Sequence, residues 1–334
     1  MSTPARTPLE GVDLLLADLD GVVYAGQNAI PFAIESINAA ATTRTVGYIT
    51  NNASRTATSV AEHLTGLGLK VAPNDVVTSP QAAVRLLGDV VPAGATVLVI
   101  GGEGLTSEVV RAGFVPTDSA EQSPAAVIQG FHPSVGWTHL AEASFALHTG
   151  IPWIATNTDW TIPVGRGIAP GNGTLVSAVH TAVGRLPVVA GKPEVAIFTE
   201  ATTRFGGTSA LFLGDRLDTD ILGANRAGIP SVLVLTGIDR AKQVISADPD
   251  SRPTYILDDL RQLHEPYPQT IEEADAAGAR TFTVGDAVVS LTGNVITIRA
   301  HGPRPVDLLR AGCAAVWGSG RAIYGLEVPP ALYS

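Results

Sequence analysis

The chain has 334 residues, of which 45% are hydrophobic and 16% charged, and it carries a formal net charge of -10. Such a composition describes a packed globular protein of about two domains and excludes a disordered one. The acidic balance argues against a general nucleic-acid binder, which needs a basic face, and a lone Cys313 excludes an internal disulfide or a cysteine-built metal cage.

The stretch from Met1 to Gly11 carries Pro, Thr and charge but no apolar h-region, so no signal peptide is expected. No apolar run approaches the ~18 residues of a membrane span. The expected location is the cytoplasm.

The run Val12-Asp13-Leu14-Leu15-Leu16 reads as a strand buried on both faces, as in a parallel sheet. It leads into Ala17-Asp18-Leu19-Asp20-Gly21. In an extended chain residues i and i+2 point the same way. Asp18 and Asp20 can therefore both enter a cleft at the carboxyl end of the strand, where open α/β sheets bind ligands. Two close carboxylates repel unless a cation lies between them or one is protonated. A charged carboxylate beside a hard cation can attack phosphorus, and a neighbouring carboxylic acid can protonate a leaving group and later deprotonate water. The plain alternative is a surface turn, since Asp and Gly are turn residues.

Helical spacing predicts a helix over Ile30 to Ala41, followed by a strand over Thr45 to Ile49. That strand ends in Thr50-Asn51-Asn52-Ala53-Ser54, small hydrogen-bonding residues ahead of a helix, which is a natural anion site. Ser54 or Thr56 could serve simply as the helix cap. From Ser79 to about Pro187 the pattern restarts as a self-contained α/β block. Its helices are expected over Gln81–Leu87, Thr106–Ala112 and His139–His148, and its strands over Thr96–Ile100, Ala125–Gln129 and Pro152–Thr156. Gly102-Glu103-Gly104 begins like a dinucleotide fingerprint, but Ser107 stands where the third Gly belongs, so these glycines are read as shaping a turn. The polar residues Asn157, Thr158 and Asp159, with Pro163 and Pro170-Gly171-Asn172-Gly173, read as a loop after a strand that either faces a ligand or is only a turn-rich connection.

Lys192, in Gly191-Lys192-Pro193, follows an apolar run and precedes a helix over Glu194–Arg204. Leu186 and Pro193 rule out a Walker loop, but a fixed Lys can still act as a point charge for phosphate. A third buried strand, Ala210–Leu213, runs into Gly214-Asp215-Arg216-Leu217-Asp218-Thr219-Asp220, and Asp215 and Asp220 can reach one cleft. Oxygen-only ligands suit Mg²⁺. A short helix over Ile221–Ala227, strands over Ser231–Leu235 and Thr254–Leu257, and a helix over Asp258–His264 follow. No zinc spacing of His and no Gly-x-Ser-x-Gly elbow occurs. Beyond Pro268, alternation over Phe282–Ser290 and Val295–Ala300 around Gly293 predicts a hairpin. A helix over Val306–Trp317 and a strand over Ala322–Val328 complete a small α+β tail. That tail could shape a homo-oligomer, cover the core or bind a regulator.

The expected fold is α/β. It has a doubly wound, Rossmann-like parallel sheet core (1–78 plus 188–268), an inserted α/β cap (79–187) and a C-terminal α+β extension (270–334). In a parallel sheet the strand ends carrying Asp18 and Asp20, Thr50 and Asn51, Lys192, and Asp215 and Asp220 lie along one edge. Together they form a kit for phosphoryl transfer, which works by positioning and charge neutralisation.

The order Asp-x-Asp-Gly, Thr-Asn-Asn, Lys-Pro, Gly-Asp-x-x-x-x-Asp resembles the haloacid dehalogenase (HAD) superfamily of phosphatases, over roughly Val12 to His264. The large insert resembles the branch with a C2-type cap, which includes NagD-like, nitrophenyl-phosphatase-like, phosphoglycolate and glycerol phosphate phosphatases. The tail after Thr270 is not part of that pattern. The resemblance implies Asp18 as the nucleophile that forms an aspartyl-phosphate and Asp20 as the acid/base. It implies Thr50, the Asn51 backbone and Lys192 as phosphate binders. Mg²⁺ would be held by the Asp18 carboxylate, the Asp20 carbonyl and Asp215, with Asp220 in support, and Asn157 and Asp159 would lie on the cap segment facing the site. The implied substrate is a small phosphorylated metabolite such as glycerol 3-phosphate or phosphoglycolate. A signalling receiver, a non-hydrolytic binding protein with the same fold, and a phosphotransferase are the competing readings; the spacing of Asp18 and Asp20 and the inserted block argue against the receiver.

Overall fold

The computed structural model describes residues 6–164, 166–276 and 278–333. The beginning of the Met1 to Gly11 stretch lies outside them. The chain packs as two compact units, one from 1–46 and 207–334, the other from 47–206.

In the first unit the fully buried strand Leu14–Ala17 pairs in parallel with Ala210–Gly214. That strand pairs with Ser231–Val234, which pairs with Tyr255–Leu257, all in parallel. Each is a short apolar run whose side chains are buried on both faces, as the sequence pattern predicts. The Asp13 carboxylate fastens the first two strands at their start by accepting the Thr208 hydroxyl at 2.6 Å and the Ser209 N–H at 2.9 Å. The Thr208 hydroxyl is the main reason its pKa is held below the usual carboxylate value.

The tail belongs to this unit. Strands Thr270–Ala274, Arg280–Val284, Ala287–Thr292 and Val295–Ala300 form an antiparallel sheet in chain order. The helix Pro305–Gly318 brings Leu309 and Val316 into one core with Phe282 and Val289 of that sheet, and with Ile221, Leu233, Val244 and Ile256 of the parallel strands and their connections. Arg310, 5% exposed, anchors the helix: it donates to Asp307 Oδ1 at 2.6 Å and, through Nε, to the Ile256 carbonyl at 2.9 Å. Its guanidinium also stacks 4.4 Å from the Tyr267 ring centre. Burial pushes the Cys313 thiol well up, so this cysteine is not a reactive one.

Four elements in this unit differ from the expectation. The strand over Phe282–Ser290 is two strands parted by a turn at Gly285, whose φ of 56° a β-carbon would strain. The strand over Ala322–Val328 is a 3₁₀ turn, Ile323–Gly325, with Glu327 alone bridging to Val295. Thr270–Ala274 is a strand the sequence hides, because all five residues are exposed and no apolar alternation marks it. Asp258–His264 narrows to a 3₁₀ helix, Leu260–His264.

The strand Thr45–Thr50 runs from the first unit into the second, where it pairs in parallel with Val76–Thr78. The second unit also holds a five-stranded parallel sheet in the order Val188–Val189, Trp153–Ala155, Ala126–Gln129, Thr96–Ile100, Val115–Thr117. Helices Trp137–Leu147 and Asn172–Val183 bury Ala143, Leu147, Val176 and Val179 against Leu98, Val127 and Trp153. The expected polar loop beyond Asp159 is instead a hairpin, Thr161–Val164 with Gly167–Pro170, and a helix that starts at Asn172. Pro170, Gly171 and Gly173 mask that helix start in the sequence. Gly104 shapes no turn but lies within the helix Glu103–Arg111, where a β-carbon would come within 2.8 Å of the Ala53 and Arg55 carbonyls.

Candidate active site

In the first unit three acids converge. Asp18 follows Leu14–Ala17 directly, and its N–H donates to the Leu213 carbonyl at 2.8 Å. Asp215 follows Ala210–Gly214, and Asp220 lies on the single π turn Leu217–Ile221. One carboxylate oxygen from each of Asp18, Asp215 and Asp220 lies within 4.8 Å of the others, and all three residues are buried. Three buried carboxylates so close are stable only with a cation or with protons. An all-oxygen set of this spacing suits a small hard cation such as Mg²⁺, whose ligands lie at about 2.1 Å.

The surrounding backbone holds this set. Asp215 Oδ2 accepts the Ile238 N–H at 2.7 Å, and the Asp215 and Arg216 N–H groups donate to Asp220 Oδ2 at 3.1 and 3.2 Å. Two glycines make room for it: a β-carbon on Gly21 (φ 85°) or on Gly237 would collide with the Asp215 carboxylate. The Thr236 hydroxyl ties these loops together by donating to the Gly21 carbonyl at 2.7 Å.

Asp20 is different. Its side chain is exposed, stands outside the three-carboxylate cluster and lies 3.4 Å from the Tyr24 hydroxyl. Solvent access suits a group that trades protons. Asp239, whose N–H donates to the Asp215 carbonyl at 3.1 Å, accepts the Leu217 N–H at 2.6 Å, and burial raises its pKa above the usual carboxylate value.

The second unit carries the other expected residues. Thr50 is buried at the end of its strand, and its hydroxyl accepts the Asn52 N–H at 3.1 Å. Thr56 proves to be the helix cap, accepting from Ser59, while Ser54 donates to the Phe131 carbonyl. Asn51 Oδ1 accepts the Lys192 N–H at 2.8 Å, and its Nδ2 donates to the Lys192 carbonyl at 3.0 Å and to Asp159 at 3.1 Å. Lys192 is 3% exposed and precedes a cis bond to Pro193. Asn157 donates to the Asn51 carbonyl at 2.8 Å, and so does the Ser79 hydroxyl at 2.7 Å. Thr50, Lys192 and Asn157 are buried and Asn51 and Asp159 half-buried, and the five lie together within this unit.

The sequence reading missed Thr236, Gly237 and Ile238, although they directly follow a buried strand, and it missed Ser79; Asn172 it placed in a polar loop rather than at a helix start. A strand-end rule applied to Ser231–Val234 finds the first three; nothing in the sequence singles out Ser79.

Residues 15–115 match the family model of haloacid dehalogenase-like hydrolases, and residues 189–263 match a second, HAD-hydrolase-like one. A D-glycerol 3-phosphate phosphatase of Mycobacterium tuberculosis is 43% identical over 91% of this chain and 86% of its own length. The chain belongs to the haloacid dehalogenase-like hydrolase family. A glycerol-3-phosphate phosphatase of Gallus gallus is 35% identical to this hydrolase over 78% of the chain and 93% of its own. Among solved structures, a glycerol phosphate phosphatase of M. tuberculosis in complex with magnesium superposes with a TM-score of 0.84 at 40% identity, covering 94% of this chain and 93% of that one. A p-nitrophenyl phosphatase of Archaeoglobus fulgidus gives 0.70 at 27% identity, covering 75% and 98%. The protein is a phosphoric monoester hydrolase. No helix among its described residues is long and apolar enough to cross a membrane.

Proposed function

We propose that this hydrolase removes phosphate from a small phosphorylated polyol, glycerol 3-phosphate above all, in a Mg²⁺-dependent reaction through an aspartyl-phosphate. The observation that carries the chemistry is the buried oxygen cluster of Asp18, Asp215 and Asp220. The substrate rests on the 43% identity to a D-glycerol 3-phosphate phosphatase. Phosphoglycolate is the next candidate.

In this reading Asp18 attacks phosphorus while Asp20 protonates the departing alkoxide, and the P–O bond to glycerol breaks. Asp20 then takes a proton from water as that water attacks the acyl phosphate, which frees Asp18 and inorganic phosphate. The Thr50 hydroxyl, the Asn51 N–H and the Lys192 ammonium hold the phosphoryl oxygens throughout. Mg²⁺ would be held by Asp18, the Asp20 carbonyl and Asp215, with Asp220 in support, and it supplies charge neutralisation at the phosphoryl group. The cap at 79–187, a cytoplasmic location and a homo-oligomer are parts of the same proposal.

The test is phosphate release from a panel of glycerol 3-phosphate, glycerol 1-phosphate, 2-phosphoglycolate and 4-nitrophenyl phosphate. A glycerol phosphate should give the highest kcat/KM, and a preference for phosphoglycolate would move the substrate assignment. EDTA should abolish turnover and added Mg²⁺ restore it; indifference to chelation removes the metal. Asp18→Asn should fold and lose turnover by at least about a thousandfold; near-normal activity would rule Asp18 out as nucleophile.

A further inference from the structure

Asn157 and Asp159 lie on the segment expected to face the leaving group, yet their hydrogen bonds run to the phosphate-binding residues instead. The sequence of contacts begins at Asn172, 1% exposed, the first residue of its helix. Its Nδ2 donates to the Asn157 carbonyl at 2.7 Å. Asn157 Nδ2 donates to the Asn51 carbonyl at 2.8 Å, and its Oδ1 accepts the Asp159 N–H at 3.2 Å. Asp159 in turn takes both carboxylate oxygens to Asn51 Nδ2, at 3.1 and 3.3 Å. Asn51 closes the run by gripping Lys192 through both that residue's N–H and its carbonyl.

Both ends of the Asn51 amide are therefore engaged by protein, so its backbone N–H is what it can offer an anion. The spacing is set by main chain rather than by adjustable side chains. A β-carbon on Gly171 would collide with the Asp159 carbonyl, and one on Gly173 with the Thr158 carbonyl. One on Gly191 would come within 2.5 Å of Asn51 Oδ1 and the Thr156 carbonyl. Buried amides linked in this way reinforce one another, and a missing donor leaves an acceptor stranded.

We propose that Asn172, Asn157 and Asp159 are positioning residues for phosphoryl binding: they hold Asn51 and Lys192 at the spacing a phosphate needs. This rests on the phosphatase reading above. The segment then governs affinity for the phosphate moiety, whatever alcohol the ester carries.

The experiment compares KM for glycerol 3-phosphate and for 4-nitrophenyl phosphate with the inhibition constant of inorganic phosphate, which has no leaving group. Asn172→Leu keeps the approximate shape and removes the donor without adding a charge. Asn172 Oδ1 has no partner among the described residues, so the substitution acts through loss of the Nδ2 bond. All three constants should rise together, by roughly tenfold, while the Mg²⁺ concentration for half-activation stays put. A rise for the glycerol ester alone, with phosphate inhibition unchanged, would overturn the proposal in favour of direct contact with the leaving group.

Should Asn172→Leu fail to fold, a second pair decides. Asp159→Asn keeps an oxygen for Asn51 Nδ2 and should retain phosphate affinity within about threefold, whereas Asp159→Leu should lose it by about tenfold. Equal behaviour of the two variants refutes the positioning role. Wild-type protein that releases no phosphate from either ester would instead remove the phosphatase reading itself, so the two failures are distinct.

Discussion

The acidic set of the first unit and the amide set of the second differ in what keeps them in place. Asp18, Asp215 and Asp220 bring three carboxylates into a buried space, where a bound cation or a proton eases their mutual repulsion. Asn51, Asn157 and Asp159 satisfy one another through donors and acceptors. One set is thus poised for a ligand and the other is held by its own hydrogen bonds. The contrast separates two jobs of a phosphoryl-transfer enzyme, handling charge and fixing geometry.

The sharpest way to break that contrast is to weaken the acidic set. Asp215→Asn should cut kcat by on the order of a thousandfold and raise the Mg²⁺ needed for half-activation, as read by phosphate release across a magnesium titration. The protein should melt no lower without magnesium, because one repelling charge has gone. If instead the apo protein lost stability, the acids would not be strained as described. Lys192→Ala strikes the other set. It should cost about a hundredfold in kcat/KM, with the Mg²⁺ midpoint unchanged; a shift in that midpoint would show that the two sets are not independent in this sense.

Gly237→Ala probes the room left for Asp215. Its β-carbon would collide with the carboxylate, so activity should fall about tenfold and magnesium affinity should fall with it. Unchanged kinetics would mean that the loop yields freely.

The smallest effect concerns an ion pair remote from both sets. Burial tends to raise the pKa of Glu200, but hydrogen bonds from Arg85 and Arg204 at 2.8 and 2.7 Å outweigh it and hold the carboxyl below its usual 4.5. A carboxyl whose folded pKa is depressed contributes stability above its unfolded value and loses that contribution as pH falls through the folded one. Glu200→Gln should therefore lower the melting temperature slightly at pH 7, by less than about 1 kcal/mol in stability. The difference should fade below pH 4.5, and a penalty that persists in acid would assign the effect to packing.

How much of this was legible depended on how each residue signals itself. Buried parallel strands are short runs of Leu, Ile and Val, and the polar residues at their carboxyl ends stand out against them, so Asp18, Thr50 and Asp215 could be read directly. Asn51 was legible as a position but not as a partner, since the residues that hold it, Ser79, Asn157 and Asp159, lie far along the chain. The helix at Asn172 was hidden by the glycines and prolines around it, residues that usually end helices. The exposed strand Thr270–Ala274 was hidden for the opposite reason: an edge that buries nothing leaves no pattern.

Of the three roles open to the tail from sequence, its packing matches one, covering the core. Arg310 satisfies the carbonyl of Ile256 from a helix near the far end of the chain. The strands bearing Asp18 and Asp215 are neighbours in space, yet the whole second unit lies between them in sequence. During synthesis on the ribosome the first aspartate emerges early and waits for partners that appear only after most of the polypeptide has been made. A chain truncated before the final helix would hold every one of these parallel strands yet leave Leu233 and Ile256 without the cover that Leu309 and Val316 provide.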